Sequence, residues 1–168
     1  MKNKPNMTRF ATHVVYTAGT FDLLHKGHVE LFYKCTQIGD FVIVVLNTDN
    51  FINTYKGQPP IMSYEERESV IITNQFVDLV IPNSGCEKCF YTIMNHAVTH
   101  GYENMFSIVI GDDWKYKDYA AQMGVINNDL DLFHKVVKYV PRYKGVSTTS
   151  IKNRVIAQSQ KISKCGPK

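Results

Sequence analysis

Residues 13–28 decide the fold, and they read His13-Val14-Val15-Tyr16-Thr17-Ala18-Gly19-Thr20-Phe21-Asp22-Leu23-Leu24-His25-Lys26-Gly27-His28. The apolar run at 13–17 predicts a β-strand. After the turn, apolar residues recur at helical spacing as far as Gly39: Val29, Leu31, Phe32, Cys35 and Ile38. A strand that leads directly into an amphipathic helix is typical of the start of an α/β alternation.

Two histidines flank a glycine at the expected start of this helix. A helix N-terminus carries unsatisfied N–H groups and about half a positive charge, so it attracts anions. Gly27 has no side chain, which allows a phosphate to approach the backbone closely. A single histidine on an apolar face usually packs in the core, but His25 and His28 around Gly27 favour a phosphate-binding turn.

The same alternation continues along the chain. Apolar, β-branched runs recur at residues 13–17, 41–46, 78–82, 107–110 and 136–140. Helical patterns or long connections separate them. We therefore predict an α/β fold: a single doubly wound, Rossmann-like parallel sheet with helices on both faces.

Local signals place several boundaries. Ser63-Tyr64-Glu65-Glu66 has the capping-box pattern and predicts a helix to about Asn74. Further helices are expected at about 87–100 and from Thr148 to about Gln158. The resulting division is a polar N-terminal segment at 1–12, one domain at 13–158, and a polar, mobile C-terminal tail at 159–168.

Composition limits the class of protein. The chain has 168 residues, of which 44% are hydrophobic, which suits one domain with a full core. It contains neither an apolar stretch of 18 residues nor a hydrophobic signal segment near Met1, so we expect a cytoplasmic protein that does not enter membranes. The net charge of +4 is scattered, which argues against nucleic-acid binding and fits a small anionic substrate.

The four cysteines are too few for a disulfide framework, so reduced thiols are expected. Cys86 and Cys89 have the spacing of half a zinc site, with His96 and His100 as local partners. No second pair of cysteines exists to complete such a site. We favour two incidental cysteines near the start of a helix over a zinc centre.

Polar residues follow four of the five predicted strands, and they are His25 and His28, then Asp49 and Lys56, then Asp112 and Asp113, and finally Arg142 with Ser147-Thr148-Thr149. The carboxyl ends of parallel strands share one edge of the sheet, so these residues should converge there. Ser147 is also a good helix N-cap, so an ordinary capped helix is the alternative interpretation of the hydroxyl run. Convergence predicts one composite site.

These motifs resemble the cytidylyltransferase-like nucleotidyltransferases. The resemblance is carried by Gly19–His28, Lys56-Gly57, Glu66-Arg67, Gly111-Asp112-Asp113-Trp114 and Arg142-Tyr143-Lys144-Gly145-Val146-Ser147-Thr148-Thr149. It extends over about residues 13–158 and implies transfer of CMP from CTP to a small phosphomonoester, with release of pyrophosphate. Within the family, the motifs are most similar to those of members that act on sn-glycerol 3-phosphate.

The resemblance also implies roles for individual residues. Catalytic roles fall on His25, His28, Lys56 and Arg142. Nucleotide binding falls on Gly19, Thr20, Phe21, Gly27, Asp112, Asp113, Trp114, Ser147, Thr148 and Thr149. Substrate binding falls on Asp22, Arg67 and Lys144. Asp113 would accept from the cytosine amino group, and Mg²⁺ and a homodimer are implied without any residue assigned as a metal ligand.

Alternatives remain for three of these assignments. Asp22 could serve as a scaffold of its turn, since Asp commonly bonds nearby N–H groups there. Arg67 could form a structural ion pair or part of the pocket wall. Either Asp112 or Asp113 could hold the magnesium ion that accompanies a triphosphate, because hard oxygen ligands suit that ion.

Two departures from the family pattern bear, respectively, on the dimer-side helix with its phosphate contacts and on the acceptor pocket. Gln75 stands where an Arg is usual, and Cys86 stands at about the position of a Trp. Phosphoethanolamine or phosphocholine with CTP, and a heptose-type sugar phosphate with ATP, are therefore alternative substrates. A nucleotide-binding module without turnover is the non-enzymatic alternative.

Overall fold

The computed structural model describes residues 11–85 and 89–165. Its five strands are all parallel and form one sheet in the order β3-β2-β1-β4-β5. They are β1 (Val14–Gly19), β2 (Phe41–Asn47), β3 (Leu79–Asn83), β4 (Phe106–Gly111) and β5 (Val137–Val140). The strand order reverses direction between β1 and β4, as it does in a doubly wound sheet. The predicted fold class is confirmed.

Seven α-helices are present in the described residues, and they are α1 (Lys26–Thr36), α2 (Asp49–Lys56), α3 (Tyr64–Ile72), α4 (Cys89–Thr99), α5 (Tyr119–Gln122), α6 (Leu130–Val136) and α7 (Thr148–Cys165). Short 3₁₀ turns lie at Asp112–Trp114 and Asn127–Asp129. The capping box predicted at the start of α3 is formed, because the Ser63 side chain accepts from Glu66 N and the Glu66 side chain accepts from Ser63 N.

The core has two sides because side chains of a strand alternate between the faces of the sheet. Val14 and Tyr16 of β1 pack with α4, α5 and α6 on one face. Val15 packs with Cys35 of α1 on the other face. Helices therefore cover both faces, and the strand ends are the part of the sheet left open for a site.

The structure corrects two expectations about helices. The Gly and Pro residues at 57–60 favour an irregular loop over 53–60, but residues 53–56 belong to α2, which Thr48 caps and which ends at Gly57 in a left-handed conformation with φ 67°. The last helix continues past Gln158 to Cys165, where a mobile tail was expected. No Gly or Pro interrupts the sequence between Gly145 and Gly166, so nothing in that stretch stops helix propagation.

The zinc hypothesis falls partly outside the described residues, because Cys86 does. Cys89 is buried at the start of α4. His96 instead lies with its Nδ1 2.9 Å from the hydroxyl of Tyr16. Over residues 11–85 and 89–165, no helix is long and apolar enough to cross a membrane.

Candidate active site

A cleft of about 720 Å³ opens at the carboxyl ends of the strands, next to the position where the strand order reverses. Its volume lies within the range of about 300–1,000 Å³ that is usual for small-molecule sites. Most of the residues assigned from the sequence line it, namely Gly19, Thr20, Phe21, Asp22, His25, Gly27, His28, Lys56, Asp113, Trp114, Arg142, Ser147, Thr148 and Thr149. The expected convergence of sequence-distant motifs is present.

The turn between β1 and α1 has an unusual backbone. Phe21 and Leu23 both have φ 49°, a left-handed conformation that bulky residues adopt only under local constraint. A Cβ at Gly19 would lie 3.0 Å from the Phe21 ring, so the glycine accommodates that ring. Strained backbone of this kind is common at functional sites.

His25 is the N-cap of α1. Its Nδ1 accepts a hydrogen bond of 3.1 Å from Gly27 N, so the ring proton of the neutral form is on Nε2. A Cβ at Gly27 would lie 3.0 Å from Cε1 of this ring. Gly27 therefore leaves room for the His25 ring, in addition to any approach of a ligand. Burial, with the charge of Arg142, lowers the pKa of His25.

His28 stacks on His25, with ring centroids 3.7 Å apart and ring planes 18° apart. The Phe21 ring packs edge-on against His28, with ring centroids 5.2 Å apart. Burial lowers the pKa of His28 to about 3, and the charges of His25 and Arg142 act in the same direction. Both rings are consequently neutral at pH 7, and each offers one N–H donor.

Asp22 serves the architecture of the site. Its carboxylate accepts from Ile61 N and Met62 N, each at 3.1 Å, and it lies 3.2 Å from Nζ of Lys152. Burial raises the pKa of Asp22, but these hydrogen bonds and Lys152 outweigh it and leave the pKa below its usual value. Thr148 Oγ1 donates to the Asp22 carbonyl. The scaffold interpretation of Asp22 accounts for all of these contacts, whereas the substrate-binding assignment has no support among them.

Arg67 does not line the cleft, and its assignment as a substrate-binding residue is corrected. The side chain is fully buried behind the β1–α1 turn. Nε donates to Met62 O at 3.1 Å, Nη1 donates to Thr20 O at 2.7 Å, and Nη2 pairs with Asp49 at 2.5 Å. Arg67 therefore holds the wall of the cleft in place.

Arg142 and Asp113 face each other across the β4 and β5 ends, with Nη1 of Arg142 2.7 Å from Oδ2 of Asp113. A Cβ at Gly111 would lie 2.6 Å from Oδ1 of Asp113, so a larger residue there would displace this carboxylate. Asp112 accepts from the backbone N–H of Arg142 at 3.0 Å. Asp112 and Lys144 line an adjoining depression rather than the main cleft.

The hydroxyl run at the start of α7 is already partly used. Ser147 and Ser150 cap the helix reciprocally, since each side-chain oxygen accepts from the other's backbone N–H at 2.9–3.1 Å. Thr148 donates to the Asp22 carbonyl at 2.9 Å. The capped-helix interpretation is therefore correct as a description of Ser147. Thr149 lies in the lining of the cleft beside them.

Sequence reasoning missed several residues that line the cleft, among them Asn47, Asn83 and Lys152, whose Nζ pairs with Asp22. Each asparagine directly ends a strand, so the strand-end argument applied to Asp112 would have found them. Nδ2 of Asn83 donates to Oδ1 of Asn47 at 2.7 Å. Thr20 Oγ1 lies 3.4 Å from both Asn47 Nδ2 and Lys56 Nζ.

Comparison with known proteins agrees with the geometry. The model of the family described as cytidylyltransferase-like matches residues 16–154. Glycerol-3-phosphate cytidylyltransferase of Bacillus subtilis (strain 168) is 36% identical over 141 residues, which cover 84% of this chain and 95% of that protein. The enzyme of the same name from Staphylococcus aureus is 32% identical over 147 residues, covering 88% and 98%.

A solved structure shares the fold. The lipopolysaccharide core biosynthesis protein from Thermoplasma volcanium superposes with a TM-score of 0.55 at 21% identity, over 79% of this chain and 98% of that one. At this identity the likeness concerns the fold alone. The arrangement of the sheet and its helices thus has a counterpart in a solved structure.

Proposed function

The chain belongs to the cytidylyltransferase-like family, and from that premise we propose that it transfers CMP from CTP to sn-glycerol 3-phosphate, producing CDP-glycerol and pyrophosphate. The observation that carries the proposal is the meeting of His25, His28, Arg142 and the start of α7 in one cleft. Two relatives named for this activity, matched over more than four fifths of the chain, support it.

The proposed reaction needs no covalent nucleophile. An oxygen of the acceptor phosphate attacks the α-phosphorus of CTP, a new P–O bond forms, and the bond to the β-phosphate oxygen breaks to release pyrophosphate. The enzyme must position two polyanions and stabilise the charge that develops between them. The cleft is lined by groups that can do this.

The neutral histidines and two cations divide these tasks. His25 presents Nε2–H as a donor because Nδ1 is held by Gly27 N. His28 stays neutral beside it, so the pair adds donors without mutual charge repulsion. Arg142 has five N–H donors, so it can bind phosphate while one of them contacts Asp113. Lys56 lines the opposite side of the cleft.

Asp113 is the proposed reader of the cytosine. Its Oδ2 accepts from Arg142, and Oδ1 provides an acceptor for the exocyclic amino group of the base. UTP carries a carbonyl in place of that amino group. The carbonyl oxygen would face a carboxylate oxygen with no proton between them. Asp113 thus favours CTP over UTP.

Magnesium is proposed to accompany the triphosphate. Residues 11–85 and 89–165 contain no group of three His, Cys, Asp or Glu side chains placed to hold a metal. An ion that is held mainly by phosphate oxygens needs only one or two protein carboxylates, and Asp112 would supply one while Asp113 reads the base. When bound, the ion would neutralise triphosphate charge and assist departure of pyrophosphate.

The position of Gln75 removes one objection to the proposed acceptor. This residue, where related enzymes carry Arg, is exposed in the turn after α3 and does not line the cleft. The departure therefore leaves the cleft of one chain unchanged. The other departure, Cys86, lies outside the described residues.

We also propose that the protein is a homodimer. Tyr64 and Phe76 are partly buried in and next to α3. Tyr33 packs on Phe76 with ring centroids 5.4 Å apart and remains 46% exposed, and Val70 of α3 is 40% exposed. An apolar surface of this kind supports association of two copies.

Pyrophosphate release tests the proposed function directly. The protein is incubated with Mg²⁺, CTP and one acceptor: glycerol 3-phosphate, phosphocholine, phosphoethanolamine or a heptose 1-phosphate, with ATP replacing CTP in a parallel series. Glycerol 3-phosphate with CTP should give the highest kcat/KM, and chelation of Mg²⁺ by EDTA should abolish the reaction. A higher value for another acceptor would reject the acceptor, and absence of release with every pair would reject nucleotidyl transfer.

A further inference from the structure

Four polar side chains form a line across the ends of three neighbouring strands. The parallel register places Asn47 of β2 opposite Asn83 of β3, and Gly19 of β1 opposite Leu46. Thr20, which follows Gly19, therefore comes beside Asn47. Lys56, at the end of α2, reaches Thr20 from the other side. All four of these side chains line the cleft.

The direction of this hydrogen-bonded line is determined at its far end. Gly85 N lies 3.4 Å from Oδ1 of Asn83, and a backbone N–H can only donate. Nδ2 of Asn83 must then face Asn47, and it donates to Oδ1 of Asn47 at 2.7 Å. Asn83 is only 2% exposed, so water cannot readily replace these bonds. Asn47 is thereby held with Nδ2 towards Thr20.

The Thr20 hydroxyl is consequently placed between two donors. Asn47 Nδ2 and Lys56 Nζ each lie 3.4 Å from Oγ1, and neither group can accept a hydrogen bond. A hydroxyl has two lone pairs and one proton. Its lone pairs are used by the two nitrogens, which leaves the proton to be donated to a ligand in the cleft.

We propose that Asn83 and Asn47 are positioning residues that orient the Thr20 hydroxyl as a donor to a phosphoryl oxygen in the cleft. This inference rests on the proposed function, in which both substrates are phosphates. Phosphoryl oxygens are acceptors, so a hydroxyl restricted to donation suits them. With the opposite amide orientation, Asn47 Oδ1 would capture the Thr20 proton and the hydroxyl would present lone pairs to the phosphate.

Asn83→Asp reverses the direction of the line with almost no change in shape. A carboxylate at position 83 accepts from Gly85 N but has no proton to give Asn47. The Asn47 amide then turns to donate to it, and Asn47 Oδ1 takes the proton of Thr20. Thr20→Val removes the hydroxyl altogether, whereas Thr20→Ser retains it.

The test is a double-mutant cycle on the full-length protein. Dissociation constants for CTP and for glycerol 3-phosphate are measured separately by calorimetry, together with kcat and both KM values. The proteins are wild type, Asn83→Asp, Thr20→Val and the double variant, with Thr20→Ser as the rescue. Thermal unfolding of each variant separates stability from binding.

Asn83→Asp and Thr20→Val should each raise the dissociation constant of one of the two phosphate ligands by roughly tenfold to a hundredfold, the scale for a hydrogen bond to a charged group. The double variant should be no weaker than Thr20→Val, and Thr20→Ser should approach wild type. If the constant for CTP changes, the hydroxyl binds the triphosphate. If that for glycerol 3-phosphate changes, it binds the acceptor.

If the losses of affinity in the two single variants multiply in the double variant, the inference is overturned, because Asn83 would then act without Thr20. A lowered unfolding temperature with unchanged binding would also overturn it, as would failure of wild type to bind either ligand. If wild type binds both ligands but releases no pyrophosphate, the proposed function fails and the binding cycle still decides the role of Asn83 and Asn47.

Discussion

The guanidinium of Arg142 lies 2.7 Å from the carboxylate of Asp113, although 29 positions separate them in the sequence. Both side chains are partly exposed, at 52% and 32%. An ion pair this exposed contributes little to stability, about 0–1 kcal/mol. Its importance is positional, since it joins the proposed phosphate-binding cation to the proposed reader of the base.

Replacement of Asp113 by Asn should reduce the preference for CTP over UTP. An amide can donate as well as accept, so it would serve the uracil carbonyl that the carboxylate disfavours. The ratio of kcat/KM values for the two nucleotides should fall about tenfold, within the range for loss of one base-reading contact. Asp118→Asn, at the exposed N-cap of α5, is the matched control. An unchanged ratio in Asp113→Asn would show that another residue reads the base.

His25→Asn should separate the capping of α1 from the proposed chemistry. Asparagine is a strong N-cap and can still accept from Gly27 N. It lacks the imidazole N–H, so turnover should fall roughly a hundredfold to a thousandfold, the scale for loss of one preorganised donor. The unfolding temperature should stay near that of wild type. Wild-type turnover in this variant would contradict a catalytic role for His25, and His28→Ala should show a loss of similar size.

Stability should fall on mild acidification because of His28. Its pKa is about 3 in the folded protein and about 6.5 when unfolded. Between these values the unfolded chain binds the additional proton, so the free energy of unfolding decreases as pH falls from 6.5, by at most about 1.4 kcal/mol per pH unit for this group. Urea denaturation between pH 7.5 and 5 measures the slope. That range avoids the carboxylates Asp22 and Asp40, whose pKa values are lowered.

Comparison of variants isolates the contribution of His28. His28→Gln should reduce the slope, even if the variant is less stable at every pH. His134→Gln, at an exposed position of α6, should leave it unchanged. An identical slope in wild type and His28→Gln would mean that other groups, such as His25 and His96 with their lowered pKa values, dominate the acid response.

Arg67→Met should destabilise the fold by about 3 kcal/mol. The substitution keeps an apolar stem but leaves the carbonyls of Thr20 and Met62 without their donor and removes the partner of Asp49. The Asp49 side chain is 39% exposed, so water moderates the loss on that side. Urea denaturation provides the measurement, with exposed Arg154→Met as the control. A change below 0.5 kcal/mol, the usual limit for surface substitutions, would contradict the supporting role of Arg67.

Sedimentation velocity at micromolar concentration should show a dimer. Tyr33→Glu, which places a charge on the proposed apolar interface, should shift the protein towards the monomer. Tyr116→Glu introduces the same charge at a position that is 89% exposed and should not change the mass. A fully active wild-type monomer would exclude a functional requirement for dimerisation.

Local sequence patterns were sufficient for the sheet and for the turn between β1 and α1. The ends of the five strands differ by no more than two residues from those predicted from the apolar runs, because burial on both faces requires continuous apolar residues. His25, Gly27 and His28 are neighbours in the sequence, so their joint placement at the start of α1 followed from the helix pattern. Helix ends were less predictable. The Thr48 cap starts α2 in a segment of polar composition, and α7 continues to Cys165 because no Gly or Pro interrupts it.

The sequence by itself determined the fold class, the edge of the sheet where the cleft lies, and many of the polar residues that line this cleft. Only the tertiary structure decided how each donor is used. Arg67 reaches Thr20 across 47 positions and is buried behind the wall, and Asn83 is directed onto Asn47 across 36. Strand and helix periodicity arise from local backbone geometry, whereas a hydrogen-bond partner is selected by strand register and packing between distant segments. The chemistry of a side chain can be inferred from its type, but its free N–H groups and lone pairs are known only once its neighbours are in place.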